Sequence, residues 1–346
     1  MREPTMADIA AYLGVSRALV SIVLRDMPGA SDETRQRVMQ AAKELGYSPH
    51  IGARTLRQYR SREIGVAFAP AHAGEPDIVE AIYPATTERG YRVVLSAQTG
   101  HRSMETAVEE LLGYRCGAII LIGPELDDAE LRATAERVKV PTVVVNSGVN
   151  NKGYDVVRSA GDTGIGLAVQ HLVELGHRQI AYVHTASMPP AALRLQGYRR
   201  AVADADLELD ILNMPGADYT EESGAAAGLE LLERGELPTA VVAGNDQQAV
   251  GLLQVFSRAG IAIPDDVSLT GYDDSRVARL SSVDLTTARQ DPRQMAQAAV
   301  LAAVRRIDQP DRRPMLSIVE PSLIVRSSTG RPRRSVTRAR DNRTRG

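Results

Sequence analysis

The chain has 346 residues, 43% of them hydrophobic, with a net charge of −2 and a single cysteine. That length allows two or three domains around a sizeable core, and one cysteine excludes an intrachain disulfide framework. No apolar run reaches the roughly 18 residues of a membrane span. The start, MREPTMADIA, carries charges throughout and does not read as a signal region, so a cytoplasmic protein is expected. The charge is unevenly placed. Residues 1–62 carry +4 and residues 331–346 carry +6, which leaves −12 for 63–330. A basic head and tail on an acidic body point to an anionic partner held at the ends.

Three short helices are predicted first. Thr5, with Asp8 three residues on, forms a variant capping box opening MADIAAYL, and Gly14 ends that helix. Ser16 caps a second helix, RALVSIVLR, with Val20, Val23 and Leu24 on one side. Ser31 caps a third, DETRQRVMQAAKEL, which Gly46 ends. Helix, glycine turn, helix and supporting helix make a helix-turn-helix headpiece over 1–48. HIGARTLRQYR follows. It has four arginines by residue 62 and only Ile51 and Leu56 as large aliphatics, so 49–62 is a linker or conditional helix.

From residue 63 the pattern alternates. EIGVAFA, RVVLSA, GAIILIG, PTVVVN, QIAYVH, TAVVAG and DVSLTGYD read as buried parallel strands. Amphipathic stretches such as METAVEELLGY, GIGLAVQHLVELG and AAAGLELLERG lie between them. This is a doubly wound α/β pattern, too long for one unit, so two lobes are expected. The tail, 329–346, lacks apolar content and is expected to be disordered.

Catalytic motifs are absent from the sequence. It holds neither a phosphate-binding loop nor an H-E-x-x-H zinc site, and its six histidines lack metal-ligand spacing. GDTGIGLA departs from the dinucleotide fingerprint and reads as glycines for helix–strand packing. His171 and His177 read as capping or solvent-facing residues. Cys116 sits in an apolar strand and reads as a small buried hydrophobe. Asp273 and Asp274 end a strand at the edge where open α/β sheets bind ligands. Without a nucleophile or metal partner they point to binding rather than catalysis, and no cofactor is expected.

In this order, TMADIAAYLGVSRALVSIVLR, SDETRQRVMQAAKELGYSPHIGARTL, HLVELGHRQIAYV, QGYRRAV, PTAVVAGNDQQAVG and VSLTGYDD resemble the LacI family of bacterial transcriptional regulators, over about residues 5–328. The resemblance implies an all-α headpiece followed by a two-lobed, periplasmic-binding-protein-like α/β body. Its first lobe would comprise about 63–158 and 289–318, and its second about 159–288 and 319–328. It implies a homodimer on pseudo-palindromic operator DNA, acting as a repressor under a small-molecule effector that is a sugar or related metabolite. The rival readings are a solute-binding receptor without DNA function and an enzyme using Asp273 and Asp274.

The resemblance also assigns residues. The second helix enters the major groove, where Arg17 offers a bidentate fork to guanine and Ala18 touches a thymine methyl. Thr5, Ser16, Ser21 and Ser31 sit at phosphate-contact positions, and Arg25 lies on the same exposed face. Ile22 stands where many members carry a polar or basic residue, so a different operator is expected. In HIGARTL, Leu56 with Ala53 beside it would wedge into the minor groove, while His50 replaces the usual asparagine. In the cleft, Asp273 matches the ligand-binding aspartate, Asn245 and Gln290 further polar positions, and Tyr219 an aromatic wall. Asn146 replaces the aspartate of lac-type relatives. The ligand-clamping arginine is expected five residues before Gly197, where Ala192 stands, and the Asp-Asn pair before the glycine-rich helix is Ala160–Gly161. A pocket short of an ion-pairing donor is therefore expected, ill suited to a standard sugar or phosphosugar.

Overall fold

A computed structural model describes residues 4–24, 28–45, 47, 61–124, 126–146, 153–185, 190–214 and 219–333. Two compact units divide the chain after Arg60.

The first unit contains α1 (Met6–Leu13), α2 (Arg17–Leu24) and α3 (Asp32–Glu44). Gly14 closes α1 in the left-handed region, at φ 66, a conformation that costs glycine little. The chain then turns by 113° into α2, the crossing expected of a helix-turn-helix. Ile9, Val20, Val23, Val38 and Ala41 meet beneath the three helices and form their small core. No single described helix is long and apolar enough to cross a membrane.

The second unit is built on two six-stranded sheets. The first contains β1 (Glu63–Phe68), β2 (Arg92–Ala97), β3 (Ala118–Ile122), β4 (Thr142–Val145), β5 (Asp155–Ser159) and β11 (Leu316–Val319), in the order β11-β5-β4-β3-β1-β2, all parallel. Helices α4 (Glu75–Thr87), α5 (Met104–Gly113) and α6 (Asp128–Val138) connect its strands. The second contains β6 (Ile180–His184), β7 (Asp210–Asn213), β8 (Ala240–Val242), β9 (Ser268–Asp273), β10 (Thr286–Arg289) and β12 (Ser322–Ile324), in the order β12-β10-β9-β8-β6-β7. Only β12 runs antiparallel there. Its helices are α7 (Gly161–Leu175), α8 (Ala191–Asp204), α9 (Glu221–Glu233) and α10 (Asp246–Arg258). A further helix, α11 (Pro292–Asp308), returns to the first lobe, burying Met295, Ala299, Val300 and Ala303 against its sheet.

The chain therefore crosses between lobes after β5, after β10 and after β11. Near-continuous apolar runs, such as Val143, Val144 and Val145, are buried because helices cover both faces. Cys116 is buried, and desolvation pushes its thiol up to about 12, so it packs as a hydrophobe.

Two expectations are corrected. Residues 329–333, read as the start of a disordered tail, pack on the second lobe: Gly330 N–H donates to Ser268 Oγ and Arg333 pairs with Asp266. His177 is neither a cap nor solvent-facing, and His171 is half-buried. His177 is buried between Thr239 Oγ1 and Gly330 O, at 2.9 Å from each, and His171 Nε2 meets Thr329 Oγ1. Polar partners from the far end of the chain satisfy rings that local sequence left without one.

Candidate effector cleft and DNA-reading surface

Parallel strands in both sheets send their carboxyl ends toward one cleft, which is where loops can converge on a ligand. The cleft holds a cavity of about 740 Å³, the solvent at its mouth included. From the first lobe come His72, Glu75, Asn146 and Arg158. From the second come Arg194, Tyr219, Asn245, Gln247, Tyr272, Asp273 and Gln290. All five effector-site residues singled out from sequence line this cavity.

Its floor is built around Arg194, on the first turn of α8. Only 6% of this residue is exposed. Gly161 and Gly197 make that possible. A Cβ at Gly197 would lie 2.2 Å from Asp162 O, and one at Gly161 would lie 3.2 Å from Arg194 Cγ, so side chains there would push α7 and α8 apart. The helix–strand packing read for GDTGIGLA falls to Gly164, where a Cβ would lie 2.5 Å from Tyr272 Cε2 of β9. The guanidinium lies 3.9 Å from the Tyr272 ring centre and 4.9 Å from that of Tyr219. Nη1 donates to Gly244 O at 2.7 Å and Nη2 lies 3.4 Å from Asp273 Oδ1. Burial opposes the charge, but Tyr219, Asp273 and Tyr272 outweigh it and hold the arginine above its ordinary pKa. The expected loss of an ion-pairing donor is thus overturned. The donor is Arg194, three residues before Gly197, while Ala192, two residues earlier, is exposed.

Asp273 ends β9 with φ 115, a left-handed conformation that costs a non-glycine residue free energy and turns its carboxylate into the cleft. Gln290 Nε2 also donates to its Oδ1. Burial raises this carboxyl above the ordinary range, against the opposing pull of Arg194 and Gln290. Among the described residues, no donor reaches its second oxygen, Oδ2. Asp274, at φ 51, turns elsewhere and is held by Arg326 Nη2 and by Arg279. The two neighbouring acids therefore do not form a catalytic pair.

The remaining lining residues divide into free and engaged. Asn245 caps α10 by accepting from Gln248 N–H, and its Nδ2 donates to Tyr219 O at 3.1 Å, so it shapes the wall while its amide is spent on the fold. Asn146, at φ 58, is half-buried at the end of β4, with its backbone tied to Val157 O. Glu75 accepts from Ala69 N–H and faces His72 Nδ1 at 2.8 Å. Sequence reasoning missed Arg194, Tyr272, His72, Glu75, Arg158 and Gln247. The signal for Arg194 was available: it shares a helical stripe with Ala191, Tyr198 and Val202, where a charge has no bland reason to stand.

Several contacts tie the lobes across this cleft. Gln247 accepts from Ala73 N–H and donates to Ala71 O, at 3.2 and 3.3 Å. Arg276 reaches Asp77 and Glu80 of α4, at 3.1 and 2.6 Å. Tyr272 Oη meets Ser159 Oγ at 2.8 Å.

On the first unit, Ser16 Oγ accepts from Leu19 N–H and Ser31 Oγ from Thr34 N–H, so both are true caps. Thr5 directs its N–H and hydroxyl to the Asp8 carboxylate. Arg17 and Ala18 are exposed at the start of α2, while Ser21 is half-buried. Ile22 is half-buried too, and its Cδ1 would lie 3.9 Å from a Cβ at Gly29, so part of its surface rests on its own unit. Arg25, His50, Ala53 and Leu56 lie outside the described residues.

A helix-turn-helix unit chained to a two-lobed α/β body with a polar inter-lobe cavity defines a ligand-responsive DNA-binding regulator. Comparison with known sequences gives the family. Residues 5–50 match the bacterial regulatory proteins of the lacI family, and residues 169–329 match a periplasmic binding protein-like domain. The transcriptional regulator CelR of Thermobifida fusca is 34% identical over 343 residues, 94% of this chain and 98% of CelR. A structure of a CelR–cellobiose complex is 30% identical with a TM-score of 0.68, covering 94% of this chain and 99% of its own. A lac repressor dimer bound to operator and the anti-inducer ONPF is also 30% identical, with a TM-score of 0.81 over 95% of this chain and 100% of its own. The chain belongs to the LacI family. It is a DNA-binding transcriptional regulator, and the receptor-only reading falls.

Proposed function

We propose that this regulator is a homodimeric repressor released from, or held on, a two-fold operator by a neutral sugar in the cleft. One observation carries the ligand class: Asp273, whose Oδ2 has no donor among the described residues, lies in the cavity lining beside the Arg194 guanidinium and between aromatic walls. A sugar hydroxyl can donate to that oxygen and accept from arginine at once, and the apolar face of a pyranose or furanose suits Tyr219. Arg194 and Arg158 balance Asp273 and Glu75, so the lining does not select an anion. Relatives point the same way, since CelR is captured with cellobiose. Asn146 supplies a neutral donor and acceptor from the opposite lobe.

Ligand contacts from both lobes favour the closed cleft, and any bias they place on lobe position is a coupling free energy, typically 1–3 kcal/mol. In the proposed headpiece mechanism, Arg17 and Ala18 read base edges, Ile22 adds an apolar contact, and Ser16, Ser21, Ser31, Thr5 and Arg25 hold phosphates. Leu56 and Ala53, with His50, act in the minor groove. The protein performs no catalysis and works in the cytoplasm, where operator DNA is. Calorimetry with neutral mono- and disaccharides and their phosphates tests the ligand class. Binding of phosphosugars alone would overturn it. Arg17→Ala should lose operator preference by about 1–3 kcal/mol while keeping salt-sensitive binding to random duplex. Equal loss on both DNAs would make Arg17 a phosphate contact only.

A further inference from the structure

All six strands of the first sheet are parallel, so all begin at the edge opposite the cleft. Cations gather there. Arg62 precedes β1, Arg115 precedes β3, Lys139 precedes β4, Arg305 lies in the last turn of α11, and Arg313 precedes β11. All five are exposed, and none has a carboxylate partner among the described residues. Several acids at this edge are already engaged. Glu63 is buried and pairs with Arg92, Glu88 lies 3.7 Å from Arg89, and Asp155 is buried against Met315 N–H. Asp308 and Asp311 offset part of the charge, while Glu136 and Arg137 of α6 cancel.

Four of the five lie within residues 63–330, which sum to −12, so their concentration at one edge is unexpected. Unpaired like charges repel one another, so a cluster at one edge of an acidic body calls for an anionic partner. The chain itself says which. This is the edge where Ser61 enters β1, and Ser61 O and Ile307 Cδ1 both lie within 3.5 Å of a Cβ placed on Gly117. The 13 residues 48–60 that lead here contain Arg54, Arg57 and Arg60. Fully extended, they span at most about 45 Å. Operator duplex, the partner of this DNA-binding chain, carries one charge per about 1.7 Å of axis and so matches a cluster of unpaired cations.

We propose that the first lobe's strand-start rim is a second, sequence-independent DNA surface that engages the phosphate backbone of duplex flanking the operator. The proposal rests on the DNA-binding reading but assigns a new surface to it. Its contribution is counterion release, which every sequence shares.

The test measures DNA affinity of the full chain by fluorescence anisotropy between 50 and 250 mM salt, on long operator duplex and on random duplex. The variant combines Lys139→Gln, Arg305→Gln and Arg313→Gln. Arg258→Gln, an exposed cation of the second lobe, is the control for net charge. The slope of log K against log salt should fall by up to about 0.9 per lost contact, equally on both duplexes. A duplex trimmed to the operator should erase the difference. An unchanged slope in a variant with wild-type melting overturns the proposal. So does an equal change in Arg258→Gln, which would reduce the effect to net charge. Arg17→Ala separates the two surfaces, because it should alter operator preference and leave the rim's share of the slope.

Discussion

Two carboxylates of the second lobe, Asp246 and Asp273, are buried almost side by side and used in opposite ways. Asp246 accepts from Ser275 N–H, Ser275 Oγ and Thr287 Oγ1, at 2.7, 2.8 and 2.6 Å. Its oxygens are supplied by the fold, and nothing else can approach. Asp273 is given one guanidinium and one amide on a single oxygen, and its side chain lines the cavity. Burial raises both carboxyls, and Asp273 raises Asp246 further. Burial and charge therefore do not distinguish a structural acid from a binding acid. What distinguishes them is how many acceptor sites the protein leaves unfilled. Asp246 fastens the loop after β9 to α10, and that fixes where Asp273 points.

The strongest way to break this comparison is to remove the cation beneath Asp273. Arg194→Leu should abolish effector binding and also destabilise the body. Breaking a buried pair leaves an uncompensated charge, at a cost of about 3–5 kcal/mol. Asp273→Asn breaks the same pair but leaves the guanidinium on Gly244 O and over the Tyr219 and Tyr272 rings, so it should destabilise the body less while losing the effector response. Thermal unfolding and calorimetry on both variants check this. If Arg194→Leu melted like wild type, the guanidinium would not be balancing Asp273.

A smaller effect should come from Asp246→Asn, read through pH. Desolvation, then Asp273, pushes the Asp246 carboxyl up to about 7 from an unfolded value near 3.8. The folded state then holds a proton that the unfolded state has released. This group's contribution is full below about pH 4, and stability is lost as pH rises toward 7. Asn cannot titrate, so the variant's melting temperature should fall less across that window, while effector affinity at neutral pH stays within a few-fold. Parallel pH profiles for the two proteins would show that the fold's donors keep Asp246 ionised throughout.

The sequence carried the architecture well because its strands are buried on both faces. EIGVAFA, GAIILIG and PTVVVN have no other stable reading in a chain of this length. The strands it hid are those with interrupted apolar runs. DVVRS of β5 carries Asp155 and Arg158, and both stay compatible with a strand because Met315 N–H meets the acid and the arginine reaches the cleft. Asp273 was legible because the chain must place a residue at a strand end on the carboxyl edge, whereas Asn146 came only from the family resemblance. Arg194 was not found at its true position, since a family offset was counted to Ala192 instead of reading the buried stripe of α8. Contacts between distant segments, such as Gln247 with Ala71 and Ala73, leave no local trace and needed the fold.

The smallest predicted effect tests whether the open oxygen of Asp273 works only when the lobes are held together. Arg276 is the outermost of the cross-cleft contacts. Its side chain is 71% exposed, yet it reaches both Asp77 and Glu80. Exposed ion pairs are worth little, typically 0.2–1 kcal/mol, and water screens them further at ordinary salt. Arg276→Ala should therefore leave the melting temperature almost unchanged. It removes an attraction present only in the closed cleft, so it should weaken effector binding by about two- to fivefold, chiefly through faster release, and more at low salt than at high. Asp246 has no part in that motion, so Asp246→Asn combined with Arg276→Ala should give additive effects. Strong non-additivity would mean that the saturated acid and the cleft rim move as one unit, and the division between structural and binding carboxylates would have to be redrawn.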